Sequence, residues 1–275
     1  MISIIIPTLN EEKLLPRLLG NIKNQTYKDY EVIIADANST DRTREIAREY
    51  GCIVVDGGLP GVGRNNGSKV AKGDFFIFFD ADVTITPKFL ENGFKEFQRR
   101  YLEVASADVS ADSLSEKDYK AAFNLYNAYV HYSQYFSPVA LGVFIMITRR
   151  LFFRIKGFNE KIKLGEDYDF VERAGKLAKF RVLKSVDVKI SLRRMEKEGV
   201  LRFVTRNIRS ELYRNFVGNI TDDRFKYEFG NYDAEKDNLN KQKVKLKELF
   251  EKLQKTKKSS KKKRVHGKTK KKRSK

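Results

Sequence analysis

Two aspartates separated by one small residue, Asp80-Ala81-Asp82, follow the apolar run Phe75–Phe79 and precede Pro87. On an extended chain residues i and i+2 project to the same side, so both carboxylates can meet one ligand. Their hard oxygens suit Mg²⁺ or Mn²⁺. A metal held there would bridge phosphate oxygens of a nucleotide and neutralise the charge that develops on a departing diphosphate. Taken alone, the pair reads more readily as turn and helix-capping residues. A second acidic group, Glu166-Asp167 with Asp169, opens a predicted helix. One such carboxylate can act as a general base toward an attacking hydroxyl, and the helix dipole by itself also favours acids in a first turn. The only histidines, His131 and His266, are too far apart to suggest a histidine metal site.

Positioning these groups requires elements that end beside each other. Short β-branched runs alternate with helical segments, which predicts parallel βαβ units. Strands are predicted at 3–6, 31–35, 52–55, 74–79, 104–109, 143–148 and 182–190, with Cys52 as a buried strand residue. Helices are predicted after Asn10 as cap, over 42–50, around 65–70 beyond the glycine-rich stretch 57–63, and on the stripe Phe89, Leu90, Phe94, Phe97. Further helices are predicted over 118–136, from Glu166, and over 200–216 and 234–255. Three of the early strands run into polar or acidic residues, and in open α/β sheets ligands bind at that edge. The stripe Tyr119, Phe123, Tyr126, Tyr129, Tyr132, Phe136 suits a packed core, a sugar-stacking wall or a membrane interface.

The 275 residues carry a formal net charge of +20, unevenly spread. Residues 255–275 hold 13 of the 56 Lys and Arg and no acid, leaving 43 against 36, or +7, for residues 1–254. The tail has almost nothing to bury and reads as disordered. A single cysteine excludes an intramolecular disulfide and a thiolate metal site. No apolar run approaches the roughly 18 residues of a membrane span. The first nine residues lack a basic region before their apolar run, so they read as a strand and not a signal peptide, with a cytoplasmic chain as the expectation.

In chain order, the stretch Ser3 to Glu12, the turn Asp36-Ala37-Asn38-Ser39-Thr40-Asp41, Arg64-Asn65 with Ala71-Lys72-Gly73-Asp74, and Asp80-Ala81-Asp82 resemble the N-terminal half of family-2 glycosyltransferases. Downstream, Gly157-Phe158-Asn159-Glu160 followed by Gly165-Glu166-Asp167-Tyr168-Asp169-Phe170 is similar to that family's second signature. The resemblance covers about residues 1–195. It implies the A-type glycosyltransferase fold, an α/β, Rossmann-like architecture with a mainly parallel central sheet flanked by helices, then C-terminal helices and a disordered basic tail. The expected organisation is a glycosyltransferase domain at 1–225, with a nucleotide-sugar half (1–100) and an acceptor half (101–225). A helical extension (226–255) and the tail (256–275) follow.

The resemblance further implies an inverting, metal-dependent transfer from a nucleotide-diphospho-sugar to an acceptor hydroxyl or phosphate, including polyprenyl-linked acceptors. Carried onto this sequence, Pro7, Glu11, Asp36, Arg64, Asp80, Ala81 and Asp82 line the nucleotide-sugar site. Asp80 faces the ribose side, and Asp82, with Asp80, holds Mg²⁺ or Mn²⁺. Arg64 either meets the diphosphate or stays a solvated surface charge, and Arg193-Arg194, a looser match, poses the same choice. Asp167 is the implied general base and Glu166 the implied acceptor-binding residue. Family members often carry two acids where this chain has Asp36-Ala37, so the base of the nucleotide stays open. Two rivals remain: a noncatalytic nucleotide-sugar or polyanion-binding module, and a nucleotidyltransferase on a similar fold. The basic tail can bind anionic lipid, at about 1 kcal/mol per residue, or nucleic acid by counterion release. A lipid-linked acceptor favours the membrane, and hence a peripheral position on its cytoplasmic face.

Overall fold

The computed structural model describes residues 1–112 and 116–193, with backbone alone at 116–119, and separate positions between 205 and 230. The chain forms two compact units, Met1–Leu192 with Ile208–Asn231, and Arg193–Asn207 with Tyr232–Lys275. Only Arg193, Thr205 and Arg206 of the second unit are described. The helix expected at 234–255 and the tail lie outside the described residues, as does Arg194.

The first unit is built on an eight-stranded sheet of order β3-β2-β1-β4-β7-β6-β8-β5. Strands β1 (Ile2–Thr8), β2 (Tyr30–Asp36), β3 (Ile53–Asp56) and β4 (Phe75–Phe79) form its parallel half. All seven residues of β1 are buried, as expected of a central parallel strand covered on both faces. The register sets Thr8 beside Asp36 and Asp36 beside Asp56, so three strands deliver polar ends to one edge. In the other half, β7 (Phe144–Thr148) runs antiparallel to β4 and to β6 (Val104–Ala111). Strand β8 (Phe180–Ile190) is parallel to β6, and the two-residue β5 (Val83–Thr84) is antiparallel to β8.

Helices α1 (Leu15–Lys23), α2 (Thr43–Glu49), α3 (Pro60–Val70), α4 (Phe89–Arg99), α5 (Glu116–Ser133), α6 (Arg149–Arg154) and α7 (Glu166–Gly175) flank the sheet. Helix α3 begins five residues before its expected start, inside the glycine-rich stretch, with Pro60 in its first turn. Its glycines permit close packing: a Cβ on Gly67 would lie 2.5 Å from Ile5 Cγ2, and one on Gly63 3.2 Å from Pro7 Cβ. Asn10 does not cap α1, which starts at Leu15 with no side-chain cap. Instead Asn10 takes a left-handed conformation (φ 55°), and its Oδ1 accepts from the Thr40 N–H at 2.9 Å. Cys52 is half-buried and precedes the edge strand β3, where one side of the chain has no covering strand.

The aromatic side chains supply the link between the halves. Phe78 on β4 packs edge-on against Phe158 (5.1 Å) and Phe170 (6.0 Å), and Phe158 stacks on Phe170 at 3.9 Å with planes 5° apart. Phe78 lies two residues before Asp80 and Phe170 three after Asp167, so this core fixes both acidic groups at one edge. The aromatic stripe of α5 divides: Phe123 and Tyr126 pack inward, whereas Tyr129, Tyr132 and Phe136 are exposed.

Candidate active site

Two hydrogen-bonded clusters form at the carboxyl edge of the parallel strands. In the first, Asp36 is fully buried and accepts from the Thr8 hydroxyl (3.0 Å), the Ser39 hydroxyl (2.6 Å) and the Ser39 N–H (2.9 Å). The loops after β1 and β2 are joined further by N–H donation from Asn10 to Ser39 Oγ, from Glu11 to Thr43 Oγ1 and from Glu12 to Asp41 Oδ2. Pro7 is buried in β1 and Glu11 is 6% exposed beside it. Asp36 therefore organises the loop that a nucleotide would meet.

The second cluster centres on Arg64. This side chain is 2% exposed, which excludes the solvated reading. Its Nη1 donates to Glu166 Oε1 at 2.8 Å, and its Nη2 donates to Asp80 Oδ1 at 2.7 Å and to the Gly142 carbonyl at 3.3 Å. Its guanidinium carbon lies 5.2 Å from the centre of the Phe158 ring. Burial works against its charge, but the carboxylates of Asp80, Glu166 and Asp167 outweigh it and hold its proton more tightly than water would. With both terminal nitrogens engaged, Arg64 acts as a clamp between the end of β4 and the start of α7.

Helix α7 presents three acids with three different fates. Its N-cap, Gly165, has φ 82°, a left-handed conformation that glycine adopts without penalty. Asp169 pairs with Arg173 at 2.7 Å and is a structural residue. Glu166 is buried against Arg64. Asp167 accepts from the Gly142 N–H at 2.6 Å and the Tyr168 N–H at 2.9 Å. Burial, with the neighbouring charge of Glu166, pushes the Asp167 carboxyl up to about 7, opposed by Arg64 and by the two N–H donors. Such a carboxylate can hold or release a proton near neutrality.

In the Asp80-Ala81-Asp82 turn, Ala81 is buried while both aspartates are partly open. The Asp82 carbonyl accepts from Arg17 Nη2 at 3.2 Å and from the Ser191 N–H at 3.3 Å. Arg17 also pairs with Asp112 beyond the end of β6, and Asp112 accepts from the Thr84 hydroxyl at 2.7 Å. Among the described residues no three His, Cys, Asp or Glu side chains converge as a metal cage. Two partly open carboxylates fit a divalent cation that draws its remaining oxygen ligands from a diphosphate and water. Arg17, Asp112 and Gly142 carried no motif in the sequence. Arg193 opens the second unit and is described only there.

The family model described as Glycosyl transferase family 2 matches residues 3–160. This chain belongs to that family. The matched stretch includes Gly157 to Glu160 and ends before Gly165 to Phe170. A dolichyl N-acetyl-alpha-D-glucosaminyl phosphate 3-beta-D-2,3-diacetamido-2,3-dideoxy-beta-D-glucuronosyltransferase of Methanococcus voltae is 38% identical over 109 residues, 36% of this chain and 34% of that protein. A poly(ribitol-phosphate) beta-glucosyltransferase of Bacillus spizizenii is 38% identical over 92 residues, 30% of this chain and 14% of that one. The chain thus spans about a third or less of the length of these curated relatives. Among solved structures, the mannosyltransferase PcManGT of Pyrobaculum calidifontis, in complex with GDP-Man and Mn²⁺, superposes with a TM-score of 0.60 at 19% identity. That match covers 79% of this chain and 70% of the other. Staphylococcus aureus TarS 1-349 with UDP-GlcNAc gives a TM-score of 0.56 at 22% identity, covering 77% and 66%. The family-2 chain accordingly has the expected mixed α/β architecture.

Proposed function

We propose that this family-2 chain is an inverting glycosyltransferase that moves a sugar from a nucleotide-diphospho-sugar to an acceptor hydroxyl, with Asp167 as general base. The observation that carries the reading is the setting of Asp167. Its carboxylate is oriented by two backbone N–H groups, raised toward neutrality by burial, and fixed by the aromatic core at the same edge as Asp80. Asp167 takes the proton of the acceptor hydroxyl as that oxygen bonds to the anomeric carbon. The bond from that carbon to the diphosphate oxygen breaks, and its electron pair leaves with the nucleoside diphosphate. Asp82 and Asp80 would hold Mg²⁺ or Mn²⁺, which when bound supplies positive charge to the leaving diphosphate. The loop set by Asp36, with Pro7 and Glu11, would receive the nucleotide, and Arg64 would keep Glu166 and Asp80 in register. Residues 1–225 form the catalytic domain in this reading.

The two relatives described above are named for phosphate-bearing acceptors, one of them dolichyl-linked, and they support a phosphate-bearing, lipid-linked acceptor here. Among the described residues no helix is long and apolar enough to cross a membrane. The 13 cations of residues 255–275 would hold the enzyme at an anionic membrane surface. The test is release of nucleoside diphosphate from a panel of nucleotide-sugars by the full chain and by Asp167→Asn. Loss of the base should lower the rate at least about 100-fold while diphosphate binding persists. An undiminished rate would remove the base assignment, and release of pyrophosphate from a nucleoside triphosphate would point to nucleotidyl transfer instead.

A further inference from the structure

The chain that follows Asp80-Ala81-Asp82 is held by α1 and the turn after it. Arg17, Asn21 and Gln25 stand four residues apart, about one helical turn, and each reaches the backbone of residues 82–86. Arg17 Nη2 donates to the Asp82 carbonyl at 3.2 Å, Asn21 Oδ1 accepts from the Ile85 N–H at 3.3 Å, and Gln25 Nε2 donates to the Thr86 carbonyl at 2.7 Å. Arg17 differs from the other two in having a second partner. Its Nη1 pairs with Asp112, which accepts from the Thr84 hydroxyl at 2.7 Å and donates its own N–H to the Ile190 carbonyl at 2.8 Å. The Ser191 N–H meets the same Asp82 carbonyl at 3.3 Å. Helix α1, strand β5 and the ends of β6 and β8 thus converge on one peptide group, that of Asp82.

We propose that Arg17 is a positioning residue for the divalent cation: by fixing the Asp82 peptide it sets the direction of the carboxylate that would take Mg²⁺ or Mn²⁺. This rests on the metal role proposed above for Asp82. Two like charges one residue apart repel, and a ligand binds such a pair more tightly when both are set in place beforehand. Asp80 is set through its side chain, by Arg64 at 2.7 Å. Asp82 is set through its backbone, by Arg17. The planar fork of a guanidinium suits this task, because one terminal nitrogen can hold the carbonyl while the other holds Asp112. Asp112 also balances the charge of Arg17, so the arginine lends its geometry without opposing a cation nearby. Thr84 in turn orients Asp112. Asn21 and Gln25 hold the same segment three and four residues beyond Asp82, and their part is to keep it on α1.

The test is a titration of the full chain with Mn²⁺ in the presence of UDP, GDP or CDP, with free Mn²⁺ followed by its electron paramagnetic resonance signal. Arg17→Met should raise the half-saturating Mn²⁺ by roughly 10-fold or more, the usual effect of removing a group that orients a metal ligand. Its circular dichroism spectrum and its affinity for the diphosphate in EDTA should match wild type. Arg17→Lys should recover only part of the loss, since an ammonium lacks the fork. Thr84→Val changes no charge and should shift the titration in the same direction, so it carries the test if Arg17→Met does not fold. Asn21→Ala should lower the midpoint of thermal unfolding and leave the Mn²⁺ titration as in wild type. Wild-type titrations in both Arg17→Met and Thr84→Val would overturn the proposal while the metal role of Asp82 stood. An Asn21→Ala protein weakened toward Mn²⁺ as much as Arg17→Met would overturn it too, because any loosening of the segment would then act alike. A wild type that takes up no Mn²⁺ with any of the three diphosphates would remove the metal role and this proposal together.

Discussion

Replacing Arg64 by methionine keeps most of the side-chain volume and removes the charge that holds Glu166 and Asp80 together. Glu166 has a side chain only 12% exposed, so the substitution strands a buried carboxylate. Breaking a buried ion pair by removing one partner costs about 3–5 kcal/mol. The Asp80 side chain is 37% exposed, so its share is screened and adds no more than about 1 kcal/mol. At about 2–4 °C per kcal/mol for a unit of this size, the midpoint of thermal unfolding should fall by about 10 °C. Urea unfolding would give the free energy directly. Adding Glu166→Gln to Arg64→Met should restore part of the loss, because the second change removes the stranded charge. Arg64 also lowers the proton affinity of Asp167, so Arg64→Met should move the pH dependence of transfer to higher pH. An Arg64→Met protein within about 1 kcal/mol of wild type would show that the clamp does not hold the two halves.

With the Asp167 carboxyl pushed up to about 7, transfer should rise with pH through about 7, and Glu166→Gln should shift the inflection downward by removing a neighbouring negative charge. The same group affects stability with a defined sign. Between the ordinary carboxylate value near 4 and about 7 the folded chain keeps a proton that the unfolded chain has lost. Its contribution to stability is therefore present at low pH and lost as pH rises through that window, and Asp167→Asn should remove this slope from urea midpoints measured against pH. A Cβ at Gly142 would collide with Arg64 Nη2, so Gly142→Ala should cost about 1–3 kcal/mol in urea unfolding and reduce transfer. Burial pushes the Cys52 thiol up to about 11, so a chromogenic disulfide reagent at pH 7.5 should label it far more slowly than a free cysteine peptide; rapid labelling would contradict its packing.

The parallel half of the sheet was legible because each strand is an apolar run cut off by an acid or a proline, and such punctuation is local. The family resemblance of the ordered motifs then assigned Asp80, Asp82, Glu166 and Asp167 to one site. The role of Arg64 was not legible, since its partners lie 16 and 102 residues away and an arginine near a helix start looks the same whether buried or solvated. Asn10 misled for the opposite reason. It sits where a cap belongs, but the loop after β2 captured its side chain and moved the helix start to Leu15. The α5 stripe was read as one face, although its residues divide between two faces that only packing distinguishes. Gly142 acts through its own N–H and carbonyl and so left no trace in residue type, while the guanidinium of Arg17 meets the Asp82 carbonyl 65 residues away.

The account rests on a nucleoside diphosphate binding at the Asp80–Asp82 edge together with a divalent metal. Thermal unfolding of the full chain with UDP, GDP and CDP, each with Mn²⁺ and again with EDTA, tests this most directly. A ligand at about 100 times its dissociation constant adds roughly 2.7 kcal/mol, which should raise the midpoint by about 5–10 °C. The account predicts such a rise with one of the three diphosphates, abolished by EDTA and absent in Asp82→Asn. A folded protein whose midpoint moves with none of them would contradict it.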